Sequence, residues 1–269
     1  MTLLSLLLAA FYAAMSAFVW RFGRPNAPQH YPLKGEMAVL IPALLAHAAA
    51  VWLPVVQQQA FLSGFGYALS MVTWLMLMLY WGGSFFYPLK GLQLLLYPLA
   101  SLGMLAAALL PQHTGGTTVA HLPFVLHITV SLLSYSLFGI AALFALLILL
   151  LDRDLRRHRF SPLVSFLPPL LSLEKLMFQS MLLGFILLTV SALSGTVFAP
   201  AVFGHPMAWT HKTVFGLAAW LIYAMILLLR RTRRWRGRQA ACWCLAGFAS
   251  LMLAYIGSKF VLQVLLQRV

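Results

Sequence analysis

The stretch HLPFVLHITVSLLSYSLFGIAALFALLILL, His121 to Leu150, decides the fold. It holds no Asp, Glu, Lys or Arg. A run of about 20 apolar residues suffices to cross a bilayer as a helix, and this one is longer. The whole chain repeats the pattern: 62% of its 269 residues are hydrophobic and 8% are charged, against about 25% charged in a soluble domain. A water-soluble fold of this composition would lack the polar surface to cover itself. Residues 1–269 therefore read as a single integral membrane domain, all-α, a polytopic helix bundle.

Working outward from this run, the other apolar segments are Leu3–Trp20, Met37–Val55, Phe61–Trp81, Leu92–Leu110, Leu176–Phe198, His211–Leu229 and Ala240–Leu262. Together with Pro123–Leu151 they make about eight transmembrane helices. Turn residues interrupt the chain around Pro54 and in GGSFFYPLKG, Gly82 to Gly91. Arg21 and Arg24 follow the first run, and no positive charge on a side chain precedes it. A secretory signal carries its charge at the other end, so the first run reads as an uncleaved helix with its N-terminus outside. Eight helices then place the C-terminus outside as well.

Loop charge tests this count. With both termini outside, the inner loops hold 15 of the 18 Lys and Arg residues, and only Lys212, Lys259 and Arg268 remain outside. That is the asymmetry of the positive-inside rule. It also explains the net charge of +14 without a nucleic-acid partner. The Arg-rich tracts double as candidate contacts to anionic lipid headgroups. SPLVSFLPPLLSLEKL, Ser161 to Leu176, combines paired prolines with a helical apolar pattern. It is expected to form a short helix lying along the inner surface.

The chemistry-bearing residues are few. The acids are Glu36, Asp152, Asp154 and Glu174, too sparse for a paired-carboxylate hydrolase. Phosphate loops, G-x-G-x-x-G and H-E-x-x-H are absent. Cys242 and Cys244 are spaced C-x-C, without the His of a haem-attachment motif, and read as membrane-embedded thiols. The outer loops, by contrast, are rich in histidine: His113, His121 and His127 in one, His205 and His211 in another. A zinc site from His113, His121 and His127 has intervals that fit no common ligand spacing.

His127 and His211 each open a helix running inward from the outer face, so they should lie at similar depth. A flat cofactor clasped between two helix tops needs this arrangement, and neutral imidazoles are good axial ligands for haem iron. Ser131, Ser134 and Tyr135 follow His127 at i+4, i+7 and i+8 and share its face. Trp209 and Lys212 flank His211. His47 sits mid-span, where an ionisable group is a functional candidate by default.

Two segments resemble the membrane cytochrome c assembly family, the haem-handling proteins of CcsA, CcmC and HemX type, in particular its short YpjD-like inner-membrane branch. In HLPFVLHITVSLLSYSLFGIAALFALLILL the family's periplasmic haem-ligand histidine falls on His127, with Ser134 and Tyr135 as its S-Y pair. SGTVFAPAVFGHPMAWTHKTVFGLAAWLIYAMILLLRR, Ser194 to Arg231, is similar to the tryptophan-rich signature and the W-L-I-Y-A helix after it. Lys212 matches the signature lysine, and Trp220 to Ala224 match the helix. His211 stands near the signature's Asp-Pro, and Trp209 stands for its tryptophans. The family-like core covers about residues 121–262.

The resemblance implies a haem-binding protein of cytochrome c assembly in a bacterial inner membrane. Haem would sit near the periplasmic face between helix tops, and other cytochrome c maturation proteins would be partners. His127 and His211 would ligate the iron, Trp209 would stack on the macrocycle and Lys212 would pair with a propionate, with Tyr135 and His47 as further candidates. Such a protein binds and delivers a cofactor without a turnover of its own. Two other classes stay open: a membrane accessory or regulatory subunit without haem on the same scaffold, and a small transporter.

Overall fold

The computed structural model of the protein describes residues 2–24, 31–58, 64–110, 122–157, 166–203, 211–233 and 235–254. Among them the chain forms eight α-helices: α1 Thr2–Trp20, α2 Leu33–Gln58, α3 Phe65–Gly83, α4 Gln93–Leu109, α5 Leu122–Arg156, α6 Leu170–Phe203, α7 His211–Arg233 and α8 Gly237–Met252. Six are long and apolar enough to cross a membrane, and α4 is a shorter apolar helix of 17 residues. The protein is thus an all-helical, multi-pass membrane bundle, as the apolar runs require. In a bilayer each backbone group must be bonded within its own segment, and helices do this.

Of the segment Ser161–Leu176, expected to hold a short helix along the inner surface, only the end is described with the spanning helix. Leu170 to Leu176 form the first turns of α6, and residues 161–165 lie outside the described chain. Pro169 stands just before α6, and its carbonyl accepts the N–H groups of Ser172 and Leu173 at 2.9 and 3.2 Å. Proline lacks only a donor that the first turn of a helix cannot use, so the paired prolines stand at the start of the spanning helix.

Helices α1 to α4 pack as one group and α5 to α8 as another, with α3 against α5 joining them. The first group is tied by polar side chains that have no water to turn to. Midway down, His47 is fully buried between Tyr12 of α1 and Ser70 of α3. Ser70 donates to the Met104 sulfur at 3.2 Å, so it accepts from His47 Nε2 at 3.0 Å. His47 Nδ1 then carries the lone pair that accepts the Tyr12 hydroxyl at 3.1 Å.

Nearer the basic end, Glu36 is buried at 3% exposure. Its Oε1 accepts the hydroxyls of Tyr80 on α3, at 3.0 Å, and Tyr97 on α4. Tyr31 lies beside the carboxyl and the Gln93 side chain, and burial, reinforced by Glu36, pushes its phenol well above the ordinary value. One carboxyl thus gathers α2, α3 and α4. Two glycines permit the close approaches. Gly91 has φ +97°, and a Cβ there would meet Leu167 Cδ2 at 2.5 Å. At Gly66 a Cβ would lie 2.3 Å from the Ala106 carbonyl oxygen, so α3 and α4 cross there backbone to backbone.

The second group is centred on Tyr223. It is fully buried, stacks on Phe138 of α5 at 3.9 Å, and donates to the Cys244 carbonyl of α8 at 3.2 Å. The basic loops gather at one end of the bundle. There Lys90 Nζ lies 4.7 Å from the Phe166 ring centre, the Arg230 guanidinium 3.9 Å from that of Phe178, and Gly237 N–H donates to Glu174 Oε2 at 3.3 Å.

Glu36→Ala strands the Tyr80 and Tyr97 hydroxyls, at a cost of about 1–3 kcal/mol for each. It should lower the thermal unfolding midpoint of the detergent-solubilised protein, whereas Glu36→Gln, which keeps an acceptor, should recover most of the loss. Gly66→Ala should destabilise by about 1–3 kcal/mol or more, because the atom it meets is backbone and cannot rotate away. The same unfolding measurement checks it.

Candidate functional site

The histidine at the head of α5 sits on a polar seam between α5 and α6. Ser134 Oγ donates to the Gly184 carbonyl at 2.8 Å. One turn up, Ser131 and Ser191 hydroxyls meet at 2.5 Å. A turn higher, His127 Nδ1 lies 2.9 Å from Ser194 Oγ. The i+4 and i+7 residues after His127 therefore do share its face, and that face is turned to a neighbouring helix.

Each hydroxyl carries one proton, which fixes the direction of every bond. Ser131 donates to the His127 carbonyl at 2.7 Å, so the proton between Ser131 and Ser191 comes from Ser191. Ser194 donates to the Ser191 carbonyl at 3.0 Å, so its oxygen accepts from His127 Nδ1–H. The network closes with His127 in the Nδ1–H form. Its Nε2 lone pair is the one atom of the set with no bond among the described residues. Gly195 makes room for the ring: a Cβ there would stand 3.0 Å from His127 Cε1 and 3.7 Å from Nε2. His127 itself is half-buried.

Helix α7 starts at this same end of the bundle, opposite the basic loops. His211 is its first residue, as expected, while the His211 side chain and the whole of Trp209 lie outside the described chain. Lys212 is exposed, and its charge acts on the His127 ring. The top of α7 is therefore near the top of α5. Below it, Trp220 Nε1 donates to Thr189 Oγ1 of α6 at 2.9 Å and its ring packs on Phe185 at 5.3 Å, which holds α7 against α6.

The other named candidates stand apart from this end. Tyr135 is eight residues below His127, about 12 Å along the helix, and packs against the apolar core. His47 has both ring nitrogens engaged by Tyr12 and Ser70. Among the described residues no group of three or more His, Cys, Asp or Glu side chains converges on a metal position. His113 and His121, the other two histidines of the candidate zinc set, lie outside the described chain.

Sequence reasoning missed Ser191, Ser194 and Gly195 as partners of His127. Their signal is SALSG, Ser191 to Gly195: small and hydroxylated residues at i, i+3 and i+4 in an apolar helix mark a close helix–helix contact. It also missed the tyrosine ring around Glu36, although an acid inside an apolar run asks for partners.

With this geometry in place, comparison with known proteins is informative. The pattern of the Cytochrome C assembly protein family matches residues 39–266. Inner membrane protein YpjD of Escherichia coli (strain K12) is 31% identical over 171 residues, 64% of this chain and 64% of that protein. Cytochrome c biogenesis protein CcsA of Prochlorococcus marinus (strain NATL1A) is 40% identical over 85 residues, 32% of this chain and 27% of that one. The CcsA of Thermosynechococcus vestitus is 38% identical over 86 residues, with the same shares. These matches span less than two thirds of either relative's length. The family pattern covers most of the chain, and the chain belongs to the cytochrome c assembly protein family.

Proposed function

We propose that this protein handles haem in cytochrome c biogenesis, in a bacterial inner membrane, holding the cofactor near the outer face between the tops of α5 and α7. The observation that carries the reading is the lone pair of His127 Nε2. A metal-ligating histidine commonly donates its other N–H to a fixed acceptor, which sets tautomer and ring direction. Ser194 does this here, and it is fixed in turn by the Ser191 carbonyl. The residues therefore fit an imidazole-ligated haem at the head of α5. Family membership and the biogenesis role named for the CcsA relatives support the same reading.

Haem, when bound, supplies an iron that takes an imidazole nitrogen as axial ligand. His127 presents that nitrogen. His211, first residue of α7, is the proposed second ligand, Trp209 the stacking residue and Lys212 the partner of a propionate. Tyr135 and His47 support the scaffold, through core packing and through the α1–α3 polar link. The protein binds, orients and passes on haem, with other cytochrome c maturation proteins as its partners, and has no turnover of its own. The bilayer is its solvent.

Haem titration of the purified protein, followed by the Soret band, tests this. Wild type should saturate. His127→Ala should bind about 10–100-fold more weakly or not at all, and Ser194→Ala should lose a part of the affinity by freeing the ring. Gly195→Leu, which fills the space under the ring, should match His127→Ala while leaving the helical content intact. A Soret band of undiminished affinity in the His127→Ala/His211→Ala double variant would contradict the assignment. A wild type with no Soret band at any haem concentration would favour an accessory subunit without haem.

A further inference from the structure

The basic end of the bundle carries a cavity that haem handling at the outer face does not use. It lies between the lower ends of α5 and α6 and the start of α8, with a volume of about 700 Å³. Its wall includes three arginines, Arg156, Arg236 and Arg238, and two acids, Asp152 and Glu174. Which charge is left over decides what the cavity takes.

Both acids are already engaged. Asp152 Oδ2 pairs with Arg156 Nε at 2.9 Å. Glu174 Oε2 accepts the Gly237 N–H at 3.3 Å, and its other neighbour is the Arg230 charge. Arg236 and Arg238 remain, and among the described residues neither has a carboxylate or a hydrogen-bond partner. The wall therefore holds three guanidinium groups against two carboxylates, and the forked donors of Arg236 and Arg238 match phosphate oxygens. The surroundings are those of a membrane interface. Trp243, in the wall, is 40% exposed and stacks on Trp235 at 6.3 Å, as aromatic side chains do at headgroup depth. Leu155 of α5, next to Arg156 in the chain, and Leu171 of α6, one helical turn before Glu174, are exposed at 45% and 78%, apolar surface on which acyl chains can lie.

We propose that this cavity seats the phosphodiester headgroup of an anionic phospholipid, with the phosphate on Arg236 and Arg238. A zwitterionic lipid is the poorer occupant, because guanidinium outnumbers carboxylate in the wall and would repel its ammonium group. The site is independent of the haem reading and stands or falls without it. It also distinguishes these two arginines from the others of the basic loops, which act on the membrane only through their summed field.

The test uses the full chain in nanodiscs of mixed phosphatidylglycerol and phosphatidylcholine, released for native mass spectrometry. Each basic residue near the surface contributes about 1 kcal/mol, so wild type should prefer phosphatidylglycerol by up to about thirtyfold. Arg236→Gln/Arg238→Gln should reduce the preference to a few-fold. Arg153→Gln/Arg231→Gln, which removes the same charge from exposed positions outside the cavity, should leave it nearly intact. Gln239→Glu, which adds a negative charge to the wall and spares every arginine, should also weaken it, and covers the case in which the double variant fails to fold. Equal losses in the two double variants would overturn the proposal. So would displacement of the lipid by millimolar inorganic phosphate, which would make free phosphate the ligand.

Discussion

The scarcity of water inside the bilayer governs this protein. A polar side chain there must find its partner on another helix or remain unsatisfied. Between α5 and α6 that requirement produces a ladder: Ser134 to Gly184, Ser191 to Ser131, Ser194 to the Ser191 carbonyl, and His127 to Ser194. The upper three are linked donor to acceptor, and the Ser134 bond stands separately below them. Among the described residues the ladder ends, at the end of the bundle opposite the basic loops, with the His127 Nε2 lone pair unbonded. Helix pairing and imidazole orientation are thus one network: the bonds that hold α5 to α6 also fix the His127 ring.

The rest of the fold supports that arrangement. Tyr223 locks α5, α7 and α8 together, and Trp220 fastens α7 to α6, so the head of α7, with His211 and Lys212, is carried on a rigid support beside the head of α5. The α1–α4 group is built by the same rule with different residues: a neutral histidine bonded through both nitrogens, and a buried carboxyl ringed by phenols. The α3–α5 contact, where Ser136 Oγ reaches the Val72 carbonyl at 3.3 Å, joins the two groups.

Much of this was legible in the sequence. Apolar runs and loop charge define the helices because the bilayer acts on composition and length alone, independently of tertiary contacts. The shared face of His127, Ser131 and Ser134 followed from helical geometry. What was hidden depends on which helices meet. Ser194 and Gly195 are unremarkable within SGTVFAP until α6 lies against α5 and the glycine receives the ring. Glu36 was visible as one of four acids, but Tyr80 and Tyr97 reach it from 44 and 61 residues away. The spanning helix α6 begins at Leu170, six residues before the expected Leu176, because the paired prolines stand at its first turn.

The central claim is that His127 presents Nε2 to haem iron. The direct measurement is the absorption and electron paramagnetic resonance spectrum of haem-loaded protein, comparing wild type, His127→Gly, and His127→Gly with added imidazole. The account predicts a low-spin imidazole-ligated spectrum in wild type, its loss in the variant, and its return when imidazole fills the vacated place. A variant spectrum identical to wild type, or a loss that imidazole does not restore in a protein still folded and haem-bound, would contradict it.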